Sequence, residues 1–343
     1  MTADLKASQR SLVDAVHPDK VIFFVGGVFM QTIFIGVDVA KADLVISIDE
    51  QAPSTVKNET AAISNWLASL PQGACIAMES TGRYHQQLAH LAQHAGFAVY
   101  VLNARDVYFY AKALGARAKS DALDCVVIRR YVQEHQHSLH PWQPGTKVQQ
   151  QLHTLLTRRA QMAAHQAAVR QTLKQVDVLD TDIAVLMQSF SSLFQAIDQH
   201  VQRLIASDDV LLAGSQRLQT ITGIGPQTSA LLTELLSRLS FANSDALVAY
   251  SGLDPRANDS GTKRGRRRLS KRGPALLRRQ IWLAAFAASH SKALKPLYAH
   301  IRAKGFSTTE SMVILGRKLL RVAFAVWKGA QPFNPEQLLP KTA

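Results

Sequence analysis

Four carboxylates stand where a folded chain could gather them: Asp38 in "GVDVAK", Glu79 in "ESTG", and Asp121 and Asp124 in "KSDALD". Asp38 interrupts an apolar, strand-like run, "FIGVDVAKADLVISID", from Phe34 to Asp49. An ionised carboxylate carried into a low-dielectric interior costs on the order of several kcal/mol unless a cation or hydrogen-bond donors meet it. Asp121 and Asp124 are three residues apart in a helical pattern, which puts both on one face. Taken singly, each acid has an ordinary reading: Asp121 as a helix N-cap, Asp124 as a favourable first-turn charge, Glu79 as a surface acid in a turn, Asp38 as a loop residue beside Lys41. Taken as a set, four acids in a small volume repel one another, and binding hard cations keeps them ionised; Mg²⁺ prefers oxygen ligands. Two such ions roughly 4 Å apart clamp the attacking and leaving oxygens of a phosphodiester. The expectation is a site in which Asp38, Glu79, Asp121 and Asp124 hold two Mg²⁺ ions, with Mn²⁺ as a substitute.

Positioning these acids requires strand ends and a helix start. Strand patterns cover Thr32 to Val37, Leu44 to Asp49 and Ser54 to Asn58, followed by a helix with Ile63, Trp66, Leu67 and Leu70 on one face. "ACIAMES" reads as a buried strand ending at Glu79, Tyr84 to His94 as a helix, and "FAVYVLN" as a further strand. Three strands followed by alternating helices and strands predict a mixed sheet with covered faces, in a ribonuclease-H-like order. The fold class expected is α/β plus α.

No proline or glycine occurs between Thr146 and Ala213, and Leu152, Leu155, Leu156, Val169, Leu173 and Val176 recur at helical spacing. This predicts a long helical hairpin or coiled-coil arm; its narrow apolar stripes and glutamine-rich faces favour pairing with another protomer over a closed bundle. "TITGIGPQTSALLTELL" then sets Gly223 and Gly225 just before a helix, as in helix-hairpin-helix phosphate grips, a layout that is also ordinary turn punctuation. Apolar helices are expected from Pro274 to Ser289 and from Thr308 to Lys328.

Lys263, Arg264, Arg266, Arg267, Arg268, Lys271 and Arg272 crowd one ten-residue stretch, with Arg278 and Arg279 close behind. Such a run is a solvated loop, a targeting patch or a phosphate-binding surface, and counterion release favours the last. The whole chain agrees: 39 Lys and Arg against 25 acids give a formal charge of +14, which selects a polyanionic partner. "HQHSLH" (His135 to His140) has no cysteine partners and follows a helix end, so it reads as structural. Cys75 and Cys125 stand fifty residues apart, which indicates neither a disulfide framework nor a thiolate zinc site and fits a reducing cytoplasm. "VIFFVGGVFMQTIFIGV" (Val21 to Val37) is at the lower edge of spanning length and contains Gln31 and Thr32, so no membrane anchor is expected. Residues 1–29 read as a disordered extension or a misassigned start.

The motifs "GVDVAK", "ESTG", "KSDALD", "TGIGPQTSA" (Thr222 to Ala230) and "YSGLDPRANDSG" (Tyr250 to Gly261), in this order, resemble the DEDD transposases of the insertion-sequence 110 family. The resemblance runs from about Ile33 to Phe333. It implies a RuvC-like nuclease domain (30–145), a coiled-coil dimerisation arm (146–215) and a C-terminal transposase domain (216–333), flanked by the 1–29 extension and a 334–343 tail. It implies that Asp38, Glu79, Asp121 and Asp124 are the metal-binding acids and that Ser260, otherwise an ordinary Ser-Gly turn residue, is a nucleophile forming a phosphoserine link to DNA. It further implies donor and target DNA as partners, guidance by an element-encoded RNA, and a homo-dimer or homo-tetramer acting at the nucleoid. Two other functions fit the same residues: a two-metal, Holliday-junction-type nuclease in which water attacks, and a non-catalytic DNA-binding protein. An actin-like sugar kinase does not fit, because Val39, Ala40 and Lys41 fill the turn where phosphate binding needs glycine.

Overall fold

The near-continuous apolar run around Asp38 suits a strand covered on both faces. In a computed structural model of the chain, which describes residues 22–25, 28–49, 51–80, 82, 84–115, 120–265 and 267–338, the first unit spans Met1–Pro144. Its opening strands, β1 (Ile22–Val25) and β2 (Val28–Gln31), pair antiparallel with each other. Within the 1–29 extension, residues 1–21, 26 and 27 lie outside the described residues. No helix among the described residues is long and apolar enough to cross a membrane.

The main sheet has five strands: β3 (Phe34–Val39), β4 (Asp43–Ile48), β5 (Ser54–Lys57), β6 (Cys75–Glu79) and β7 (Ala98–Leu102), in the order β5-β4-β3-β6-β7. β3, β4 and β5 are antiparallel, while β6 and β7 continue parallel to β3. Both faces must be covered for a sheet with parallel strands to be stable. Helices α1 (Thr60–Ala68) and α2 (His85–His94) cover one, where Ile35, Val37, Ile76 and Met78 meet Ile63, Leu67 and Leu88. Helices α3 (Ala104–Ala113) and α4 (Asp121–His135) cover the other, where Phe34, Cys75 and Ala77 meet Val107, Val127 and Ile128.

Strand parity therefore assigns Gly36 and Asp38, two and four residues beyond Phe34, to the α4 face. Gly36 is where α4 comes closest: a Cβ there would lie 2.1 Å from the Cys125 carbonyl oxygen and 2.4 Å from the Arg129 backbone nitrogen. Arg129 crosses the sheet to donate from Nε to the buried Ser47 hydroxyl at 3.1 Å, and Ser47 pairs with Gly36 in register. Backbone contact at one glycine thus fixes how near the start of α4 stands to the end of β3. Gly36→Ala is expected to push α4 outward and to cost about 1–3 kcal/mol or more, as overpacking does; a fall in the urea midpoint at unchanged slope checks it.

The second unit, Gly145–Ala343, is helical. Two long helices, α5 (Lys147–Thr172) and α6 (Asp180–Ala206), fold back on each other, and Arg159 joins them by two bonds to Asp198, at 2.6 and 2.8 Å. Leu152, Leu156, Val201 and Ile205 carry the near ends of this pair into a core shared with α7 (Asp209–Gln219), α8 (Pro226–Arg238), α9 (Ser244–Ser251), α10 (Ala275–His290), α11 (Lys295–Ala303) and α12 (Thr308–Gly329). Glu234, 1% exposed, pairs with Arg238 at 2.6 Å. Burial works to raise its pKa, but His153 of α5 and the Arg238 guanidinium outweigh burial and hold the carboxyl below its ordinary range.

Candidate active site

Ser120, not Asp121, caps α4: its side chain accepts from the Leu123 N–H at 3.3 Å. Asp121 is then the first residue of the helix and Asp124 the fourth, both in the turn where backbone N–H groups favour negative charge by ~0.3–1 kcal/mol each. Opposite them, β3 presents Asp38. Carboxylate oxygens of Asp38, Asp121 and Asp124 all lie within 4.8 Å of one another, with Asp38 and Asp124 half-buried and Asp121 exposed. The helix terminus offsets a fraction of the repulsion among three such charges; a bound cation would remove the rest.

Glu79 is not one of this converging trio. It ends β6, half-buried, and pairs with Leu102 across β7. The register that joins Val37 to Met78 sets Glu79 level with Asp38 on the neighbouring strand, and parity with Cys75 and Ala77 assigns it to the α4 face. Cys125 is buried in the same region; burial, with a smaller contribution from the Asp38 charge, pushes its thiol up to about 11, which keeps it protonated and a poor ligand at neutral pH. The donor set is thus oxygen only, which suits a hard divalent cation and not zinc.

Ser260 belongs to the second unit and rides on a β-hairpin between α9 and α10. The root is β8 (Pro255–Arg256) paired with β11 (Arg268–Leu269); the outer part is β9 (Asp259–Ser260) paired with β10 (Lys263–Arg264). Asp254 closes the root, its carbonyl accepting from the Ser270 N–H at 2.9 Å and its carboxylate from the Ser270 hydroxyl; Lys271 N–H adds a bond to the Gly252 carbonyl at 3.0 Å. Asp259 braces the outer part, taking the Gly265 N–H at 3.2 Å and pairing with Arg267 at 2.8 Å. Ser260, opposite Lys263, is exposed beside the Gly261–Thr262 turn.

The predicted basic residues separate by role. Arg267, Arg268, Lys271, Arg272 and Arg279 are exposed. Arg278 is half-buried and donates to the carbonyls of Ser251 and Gly273, which fastens the hairpin to α10. Arg266 and the side chains of Lys263 and Arg264 lie outside the described residues. Gly225 is the N-cap of α8, and Gly223 adopts φ +96°, with a Cβ there 2.4 Å from the Ala284 carbonyl. Both line a cleft of about 920 Å³ bordered by Gln202, Gln219, Thr228 and Gln280.

Sequence reasoning missed Gly36 and Ser120, which place the acids without touching a reactant. It also missed α3, although Asn103 followed by Asp106 is a legible helix start: the Asn103 side chain accepts from the Arg105 N–H at 2.9 Å.

Two family models match in tandem. One, of the DEDD transposases of insertion sequence 110, covers residues 35–204; the other, "Transposase IS116/IS110/IS902 family", covers residues 215–299. A pilin gene-inverting protein of Moraxella bovis is 27% identical over 271 residues, 76% of this chain and 81% of that protein. The "Insertion element IS110 uncharacterized 43.6 kDa protein" of Streptomyces coelicolor is 29% identical over 147 residues, 41% of this chain and 36% of its own length. A protein of insertion element IS116 from Streptomyces clavuligerus is 22% identical over 192 residues, 55% and 47% of the two chains. The matches take in both the sheet that carries the acids and the hairpin that carries Ser260, and the chain belongs to the IS110-type family of transposases.

Proposed function

We propose that this transposase cuts and rejoins DNA at a two-cation site built on Asp38, Asp121, Asp124 and Glu79, with Ser260 as the nucleophile. The convergence of three carboxylates within 4.8 Å is the observation that carries this reading. Divalent cations bound there, Mg²⁺ or Mn²⁺, supply Lewis-acid stabilisation of charge on the reacting phosphate. Asp38 and the first turn of α4 would hold the cations, and Glu79, level with Asp38, would add a carboxylate from the next strand. Ser260 Oγ forms a bond to phosphorus as the bond to one DNA oxygen breaks; the hydroxyl proton leaves to base and the departing strand ends as a hydroxyl. The phosphoserine link conserves bond energy for rejoining, in keeping with the lack of a GxxxxGK[ST] run in the sequence. Exposed Arg267, Arg268, Lys271, Arg272 and Arg279, together with Lys263, Arg264 and Arg266, neutralise phosphates, and the Gly223–Gly225 turn before α8 adds a helix-hairpin-helix-like backbone grip.

Donor and target DNA are the substrates, and an element-encoded RNA selects them. The Moraxella bovis relative is named for inverting a pilin gene, which supports rearrangement of DNA segments as the outcome. Two copies act together through α6, where Leu186 and Leu193 stand seven residues apart and are 40% and 42% exposed, with Leu179, 39% exposed, in the turn just before the helix; this apolar edge suits a second copy.

The test is reconstitution. The full chain, purified with whatever nucleic acid follows it through nuclease treatment, is expected to yield RNA transcribed beside its gene and to exchange strands between two duplexes only with Mg²⁺ or Mn²⁺. Exchange that persists in excess chelator would sink the metal reading; DNA binding with no strand cleavage under any divalent cation would leave only an architectural role.

A further inference from the structure

Helix α3 packs on α4 through Val107 and through Tyr110, whose ring meets Tyr131 at 5.2 Å and His135 at 5.6 Å. Its opposite face is unusual. Tyr108 and Phe109 are 53% and 48% exposed, and their rings meet edge to face at 5.4 Å. A cation sits over each: Lys112 Nζ is 4.7 Å from the Tyr108 ring centre, and the Arg105 guanidinium is 5.5 Å from that of Phe109. Arg105, Tyr108, Phe109 and Lys112 form one stripe at helical spacing, and the single acid of α3, Asp106, is half-buried.

Aromatic faces left in water beside paired cations forgo apolar burial, and the ~0.5–1 kcal/mol of each exposed cation–π contact recovers only part of it. They match a ligand that offers flat π-surfaces joined by anions, which is a nucleic-acid strand. A duplex keeps its bases stacked on each other, so only unpaired nucleotides can use the rings. The stripe lies on the helix packed against α4 through Tyr131 and His135, about 10–20 Å along that helix from Asp121 and Asp124 at roughly 1.5 Å per residue, a span of a few nucleotides.

We propose that Arg105, Tyr108, Phe109 and Lys112 form a stacking platform that holds unpaired nucleotides of a strand whose continuation runs along α4 to the acidic cluster. The inference rests on reading that cluster as the place where strands are opened and cut. Bases stack on Tyr108 and Phe109 while Arg105 and Lys112 neutralise the flanking phosphates. The platform is sequence-tolerant, since every base has a π-face.

The experiment uses the full chain in chelator with an oligothymidylate carrying 5-iododeoxyuridine, irradiated and mapped by mass spectrometry, and a hairpin duplex as competitor. Adducts are expected on Tyr108 or Phe109. The Tyr108→Leu/Phe109→Leu variant is expected to bind the single strand more weakly by about thirtyfold or more at unchanged duplex affinity, the loss of two stacked bases. Adducts confined to other segments, or an unchanged single-strand affinity, overturn the platform. So does a variant that changes sedimentation but not single-strand binding, which would make the stripe a protein interface. Asp38→Asn, run in parallel, separates the two readings: adducts and binding persist in it, and cleavage by it defeats the metal site while leaving the platform measurement intact.

Discussion

Asp38→Asn is expected to lower metal-dependent strand cleavage by about three orders of magnitude in a protein that remains folded. Metal catalysis contributes several kcal/mol of transition-state stabilisation, and each ~1.4 kcal/mol is a factor of ten. The substitution is isosteric, so packing at the end of β3 is kept. It also removes one of three mutually repelling charges, so in chelator the variant should unfold at or above the parent temperature. Added Mg²⁺ discriminates the roles: at a hundred times the dissociation constant, binding stabilises the parent by ~2.7 kcal/mol and leaves the variant nearly unmoved. A variant destabilised in chelator, and rescued by neither cation, would show that Asp38 serves the fold and not the ions. Cleavage kinetics and thermal melts with and without cation decide between them.

Ser260→Ala is expected to abolish the covalent protein–DNA species altogether, because no other group replaces the attacking oxygen. The residue is exposed on a two-residue strand and its hydroxyl supports no core contact, so stability should change by less than ~0.5 kcal/mol. Denaturing gels of labelled substrate report the adduct directly, and phosphoserine at residue 260 identifies it. Persistent cutting by Ser260→Ala without an adduct would transfer the attack to water and make the chain a two-metal nuclease. Restoring a weak adduct with Ser260→Cys would further tie the attack to that position.

Much of the site was readable because it depends on short-range rules. The three-residue spacing of Asp121 and Asp124 already put them on one helical face, and the apolar run that Asp38 interrupts located β3 to within two residues at each end. The capping assignment missed by one position, since Ser120 and Asp121 are both good caps and only backbone geometry separates them. Glu79 was legible as a strand end, whereas its standing apart from the other three oxygens depends on side-chain placement that no spacing encodes. β8 to β11 escaped because their residues are basic, glycine or proline instead of alternating apolar, and each strand is held by root contacts such as Asp254 with Ser270. α3 was lost for a different reason: Asn103 alone separates it from β7, too short a break for pattern reading.

The hairpin behaves mechanically as a cantilever. It is clamped where Asp254, Ser270, Gly252 and Arg278 meet, and five residues, 255–259, separate that clamp from Ser260, a reach of at most about 20 Å at roughly 3.3 Å per step. A small rotation at the clamp is magnified along this length into a large displacement of the hydroxyl. Substitutions such as Ser270→Ala, at the clamp and not at the attacking hydroxyl, will therefore mimic loss of the nucleophile by misaiming it.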